Sequence, residues 1–159
     1  KPTPITKPAS VGYQTHVQNI GWQNQVKDGA TGGTEGKSLR VEAFRVKLLN
    51  QPYSGDIQVQ SHVQNIGWQG WKSNGAISGT SGRSLRVEAL RIKLTGEMAN
   101  KYDVYYRTHC QNVGWTGWAK NGASCGTSGY SYRMEAVQIK LVPKGSAAPG
   151  STARTYYQR

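Results

Sequence analysis

The sequence predicts an all-β body of pseudo-threefold symmetry, and three observations carry the prediction. One long phrase occurs three times, with a period of about 46 residues. Within each copy apolar and polar residues alternate at the two-residue period of a strand, and no helical period is convincing anywhere. An Asp-Gly or Asn-Gly turn signal followed by a glycine-rich stretch stands at the same place in every copy.

The three copies open HVQNIGWQNQ from His16, HVQNIGWQGW from His62 and HCQNVGWTGW from His109. They close KSLRVEAFRVKL from Lys37, RSLRVEALRIKL from Arg83 and YSYRMEAVQIKL from Tyr130. The elements follow in order. Residues 1–10, KPTPITKPAS, have the Pro, Thr, Lys and Ser content of an extended linker, and the chain is read as a fragment lying downstream of another domain. Residues 11–142 form one domain of three repeats, 11–49, 57–95 and 104–142. In the first, Val11, Tyr13, Thr15 and Val17 share one face of a strand, and Gln14, His16 and Gln18 share the other. A short strand is expected from Trp22 to Val26, ending in the tight turn at Asp28-Gly29, with Asn74-Gly75 and Asn121-Gly122 as its counterparts. The segments ATGGTEG, AISGTSG and ASCGTSG read as loops. In the last strand the alternation slips: Leu39, Val41 and Ala43 share a face, and Phe44, Val46 and Leu48 share the opposite one. A bulge or twist at Glu42-Ala43 reconciles the two. The tail, 143–159, offers Thr-Tyr-Tyr as a possible closing strand.

A single copy is too small to bury a core, so the copies must share one. A β-prism-like body is the preferred arrangement, because the strands are long and each repeat reads as one sheet; a β-trefoil is the alternative.

The chain has 159 residues, with 20 Lys+Arg against 8 Asp+Glu, for a formal charge of +12. Such a surface favours polyanions, among them nucleic acid, teichoic acid and anionic polysaccharide, without choosing among them. No stretch reaches the ~18 apolar residues of a membrane span. No Ser–His–Asp pattern, CxxC pair or HExxH helix occurs, and no second carboxylate recurs beside the repeated glutamate, so the fragment reads as non-catalytic, with no cofactor and no metal. Cys110 and Cys125 appear only in the third copy; a disulfide and a pair of unbridged thiols both fit the sequence.

Candidate ligand-binding residues are those that recur. Trp22, Trp68 and Trp115 supply indole faces suited to sugar rings, although a side chain repeated beside a glycine reads first as core. Trp71 and Trp118 lie three residues on, and Gln25 takes their place in the first copy; tolerance of a polar group there points to an exposed stacking role. His16, His62 and His109 share the polar face with glutamines. Hydrogen bonding to strand neighbours or to a sugar hydroxyl ranks above a metal held on the symmetry axis. Glu42, Glu88 and Glu135 lie two residues from Arg40, Arg86 and Arg133, on the same strand face, which favours local ion pairs over ligand binding.

The ordered recurrence of Gly-Trp, the Gly-Thr-x-Gly loop, the Arg-x-Glu-Ala step and the terminal Lys-Leu resembles the ChW repeat, over roughly residues 11–142. The resemblance implies an extracellular, cell-wall-associated module of Gram-positive bacteria or their phages. It would bind peptidoglycan, a wall glycan or teichoic acid, and would target an attached lytic enzyme. A surface adhesin or protein-binding scaffold is the alternative, with nucleic-acid binding ranked below it.

Overall fold

The computed structural model describes residues 8–159, so positions 1–7 of the expected linker lie outside the described residues. The first repeat contributes β1 (Ser10–Val17), β2 (Gly21–Trp22), β3 (Val26–Lys27), β4 (Gly32–Gly33) and β5 (Val41–Leu49). The second contributes β6 (Ile57–Val63), β7 (Gly67–Trp68), β8 (Lys72–Ser73), β9 (Ser78–Gly79) and β10 (Val87–Leu94). After helix α1 (Gly96–Lys101), the third contributes β11 (Tyr102–Cys110), β12 (Gly114–Trp115), β13 (Ala119–Lys120), β14 (Cys125–Ser128) and β15 (Met134–Pro143). Strand β16 (Tyr156–Gln158) closes the chain.

Each repeat founds one sheet on its two long strands, which pair antiparallel: β1 with β5, β6 with β10, and β11 with β15. The three-sheet, threefold, all-β body of the sequence prediction is therefore what forms. Its core draws on all three copies: Val11, Tyr13, Phe44 and Val46, then Ile57, Val59, Leu90 and Ile92, then Val104, Tyr106, Val137 and Ile139. No copy could exclude water from these side chains alone, so burial couples the repeats.

The alternation slip is a β-bulge in every copy. His16 faces Ala43 and Val17 faces Val41, which leaves Glu42 as the extra residue. Glu88 and Glu135 occupy the same place in the other two pairs. The extra residue lets Val41, Ala43, Phe44 and Val46 all lie at 0–1% exposure although their spacing breaks the two-residue rule.

Three expectations need correction. The strand expected from Trp22 to Val26 splits into β2 and β3, both paired with β1. Between them the side-chain carbonyl of Gln23 accepts bonds from Thr15 Oγ1 and from the Gly33 amide, both at 2.8 Å, while its backbone amide donates to the Thr15 carbonyl at 2.9 Å. The segments read as loops each contain a short strand that crosses to another repeat's sheet: β9 pairs with β5, β14 with β10, and β4 with β15. Strands of two to four residues carry too little periodicity to register, which is why alternation missed them. Finally, α1 forms where no helix was expected. Its six residues are too few to display a helical period, and Met98 is its one buried side chain.

The crossing strands close a ring, because each repeat completes the sheet of another. The turn glycines add to the closure: Gly29, Gly75 and Gly122 donate their amides to Ile139, Val46 and Ile92 at 2.6–2.7 Å. Tyr13 spans two copies, donating its hydroxyl to the Ala30 carbonyl and accepting from the Ile139 amide at 3.1 Å. The tail is held in the same way, as β16 runs parallel to β14 and extends the second sheet.

Gly79 tests the closure. It has φ +95°, and a Cβ there would lie 2.5 Å from the Glu42 carbonyl oxygen. Gly79→Ala should lower stability by at least about 2 kcal/mol in thermal or urea unfolding. Gly70→Ala, where a Cβ meets nothing within 4 Å, should change it by less than about 0.5 kcal/mol.

Candidate functional site

One cluster of side chains recurs on the outer face of each sheet. Strand pairing sets His16 opposite Trp22, His62 opposite Trp68 and His109 opposite Trp115. In each pair the imidazole meets the indole edge-on, with centroids 5.2–5.3 Å apart and planes at 80–81°. The bulge turns the glutamate toward that histidine. Nδ1 of His109 lies 2.8 Å from Glu135 Oε1 in a hydrogen bond. The same contact measures 3.0 Å in the other copies, where alignment is poorer. A carboxylate only accepts, so His109 donates from Nδ1 in that bond.

The second carboxylate oxygen takes an arginine. Arg40, Arg86 and Arg133 reach Glu42, Glu88 and Glu135 through Nε at 2.9–3.0 Å. The ion pairs expected from the two-residue spacing are therefore present. Each glutamate is only 5–6% exposed, so its charge is offset where water cannot do it. The histidines are committed to these carboxylates one by one, and among the described residues no group of three His, Cys, Asp or Glu side chains is placed to hold a metal.

The tryptophans depart from expectation in opposite directions. Trp22, Trp68 and Trp115 stand outside the core and are half-buried. A guanidinium packs on each ring: Arg45 at 4.5 Å from the centroid of Trp22, Arg91 at 3.9 Å from that of Trp68, and Arg107 at 4.6 Å from that of Trp115. Trp115 also donates its ring N–H to Glu35 of the first repeat at 3.1 Å, so this cluster spans two copies. Trp118, expected to be exposed, is only 7% exposed. The C-terminal tail covers it: the Trp118 amide donates to Ser151 at 2.8 Å, and Gly150 lies so close that a Cβ would sit 3.0 Å from the indole nitrogen. Trp71 is half-buried, with the Lys93 ammonium 4.2 Å over its ring. The first copy has Gln25 there, lining a groove with Gln14, Arg45 and Lys47 that reaches Asn74 and Gly75 of the second copy. The second copy alone presents two tryptophans that are both half-exposed.

Sequence reading overlooked the arginines on the indoles. A signal for them exists across the paired strands. Gln14 faces Arg45 and Gln60 faces Arg91, whereas in the third copy Arg107 faces Gln138. The pair has exchanged strands and still delivers one guanidinium to the tryptophan. Also overlooked was the turn residue's role: Asp28, Asn74 and Asn121 each accept the amide of a residue near the start of the facing long strand, Val11, Ile57 or Val104, at 2.9–3.1 Å. An amide oxygen does this as well as a carboxylate.

Cys110 and Cys125 are free and buried. Thr108 Oγ1 lies 3.4 Å from one sulfur and 3.6 Å from the other, and Thr116 Oγ1 is 3.2 Å from Cys125. Burial pushes the thiol of Cys110 up to about 12 and that of Cys125 up to about 11, although these hydroxyls oppose it.

The fold and the repeated outer clusters define a threefold repeat module. Each copy matches the family described as ChW, Clostridial hydrophobic W, over residues 16–50, 62–96 and 109–143. The chain belongs to that family, which is one of repeat modules and not a catalytic family. No curated protein and no solved structure matches it.

Both thiols should resist iodoacetamide at pH 8 in the folded chain and react once it is unfolded, as counted by mass spectrometry, since the thiolate is the nucleophile. The raised values also fix a stability trend. The folded chain keeps protons that unfolded thiols release near 9.0, and Tyr13, pushed up to about 12 chiefly by burial, adds to this. Stability should be full below about pH 9 and fall as pH rises from there toward 12, read by urea midpoints across that range.

Proposed function

We propose that this chain is a non-catalytic cell-wall-binding module that delivers an attached lytic enzyme to peptidoglycan or another wall glycan. The observation that carries the reading is the threefold outer cluster: a half-exposed indole with a cation packed against it, beside a histidine that a buried glutamate orients. Indoles stack on the apolar faces of sugar rings, while guanidinium, imidazole and glutamine supply hydrogen bonds to hydroxyls and to acetamido or carboxylate groups. Three such clusters on one closed ring suit a repeating polymer, because the second and third contacts form at high effective concentration. The charge of +12 adds long-range attraction to an anionic wall.

The clusters are unequal. Gln25 removes one indole from the first, and the tail covers Trp118 in the third, so the second cluster, with Trp68 and Trp71, is the strongest. Trp68→Ala or Trp71→Ala should reduce wall affinity at least about tenfold through lost stacking and lost avidity. Trp118→Phe should reduce it less than about threefold.

The test is retention on purified Gram-positive cell walls, before and after teichoic acid is stripped, at low and high salt. Retention on stripped walls at high salt supports a peptidoglycan or neutral-glycan ligand. Loss on stripping assigns the ligand to the anionic polymer, with charge as the driver. No retention on any wall overturns the reading and favours a protein partner.

A further inference from the structure

A second kind of site lies on the pseudo-threefold axis, at the end of the molecule where the first long strand of each repeat finishes and the second begins. Gln18, Ser38 and Arg40 of the first copy, with their counterparts Gln64, Ser84, Arg86 and Gln111, Ser131, Arg133, line one cavity of about 380 Å³. The nine residues are three identical sets.

The chemistry of the lining is almost entirely that of donors. Gln18 Oε1 is taken by the Arg40 amide at 3.2 Å, and Gln64 and Gln111 repeat this with Arg86 and Arg133. A backbone N–H can only donate, so each glutamine must turn its oxygen to the protein, which leaves its NH₂ group as the free end. Each guanidinium spends Nε on its own glutamate, and Arg40 spends Nη2 as well. With five N–H donors apiece, all three arginines keep donors unspent. The serines supply hydroxyls from backbone that favours glycine, with φ +57°, +55° and +63°. A glycine in any copy would relieve that conformation and remove the hydroxyl, yet all three copies carry serine.

We propose that this axial cavity binds one tetrahedral oxyanion, specifically a phosphate group. Three arginines lining one cavity, with amide and hydroxyl donors between them, suit oxygens disposed about a threefold axis, and guanidinium is the side chain best shaped for phosphate. The glutamates that hold the arginines neutralise part of their charge, so recognition rests on the count and direction of donors as much as on net charge. The site does not rest on the wall-binding reading, because it concerns a different face of the molecule and a free ion suffices to probe it. Two sources carry the group: inorganic phosphate and the phosphodiester of a glycerol phosphate polymer.

The experiment is titration of the whole chain, followed by ¹H–¹⁵N spectra and calorimetry, with inorganic phosphate in one arm and a short glycerol phosphate oligomer in the other. Saturation at one ion per chain, with shifts at Ser38, Ser84, Ser131 and the three glutamine side chains, supports the site. Response to both probes assigns the polymer as a source, and response to inorganic phosphate alone assigns the free ion. Ser84→Asp puts a negative charge into the cavity without touching an arginine, and aspartate tolerates the left-handed backbone. It should weaken binding at least about tenfold, and at least about threefold more than Ser84→Asn, which loses the same hydroxyl without adding a charge. Unfolded variants are recognised by their spectra. The proposal is overturned by no saturable response to either probe, by three equivalents per chain with shifts at the indole N–H groups, or by equal affinity in Ser84→Asp and Ser84→Asn.

Discussion

The bulged glutamate is the joint on which this molecule depends. Its backbone and its side chain do different jobs at one position. The carbonyl oxygens of Glu42 and Glu135 accept the amides of Thr80 and Thr34, at 2.9 Å each, so the crossing strand of another repeat docks on the bulge. At Glu88 the equivalent glycine, Gly126, lies against the same carbonyl. The carboxylate meanwhile joins histidine to arginine. A regular strand would turn the side chain away with its neighbours' alternation; the extra residue is what allows an ion pair and a docking carbonyl to coexist at 5–6% exposure. Ring closure and the outer cluster are therefore one construction, and loosening either loosens the other.

The three copies act as internal substitutions, and they separate what the construction needs from what it merely contains. It needs an acceptor at the tight turn, and takes it from Asp28, Asn74 or Asn121. It needs one guanidinium per outer tryptophan, and takes it from either of two facing strands. It needs a small side chain where the crossing strand enters, and accepts Gly32, Ser78 or Cys125, all buried. This last tolerance explains the cysteines. Cys125 fills a site built for a small residue, and Cys110 replaces the buried valines Val17 and Val63, so both behave as compact apolar groups.

How much of this was legible follows from the length of each signal. The long strands, the bulge and the Arg–Glu pairs all rest on alternation over seven or more residues, and alternation reports them. The crossing strands β4 and β9 have two residues each, and their partners lie in another copy; nothing local marks them. The tryptophans were misjudged for a related reason. Recurrence of Trp22, Trp68 and Trp115 is equally expected of core and of a repeated surface cluster, and only the facing histidine and guanidinium decide between them. Trp118 is buried by residues 150–151, more than thirty positions away, which no reading of its own repeat contains. The arginines on the indoles were legible in principle, since Gln–Arg, Gln–Arg and Arg–Gln face each other once the strand register is known.

Symmetry constrains the two kinds of site differently. Each outer cluster is complete within one repeat and a neighbouring loop, so one copy can change without disabling the others. They have diverged accordingly: Gln25 in one, Glu35 beside Trp115 in another, a covering tail over Trp118. The axial cavity has no such freedom, because one ligand on the axis would touch all three copies at once. A change in any copy would leave that ligand with an unmatched oxygen. Glutamine, serine and arginine are identical there in every copy, although flanking positions such as Lys37, Arg83 and Tyr130 are not. The pairs with glutamate and backbone account for the glutamines and arginines as structure. They do not account for three serines held in backbone that glycine adopts more easily, and it is those hydroxyls that a shared ligand on the axis would use.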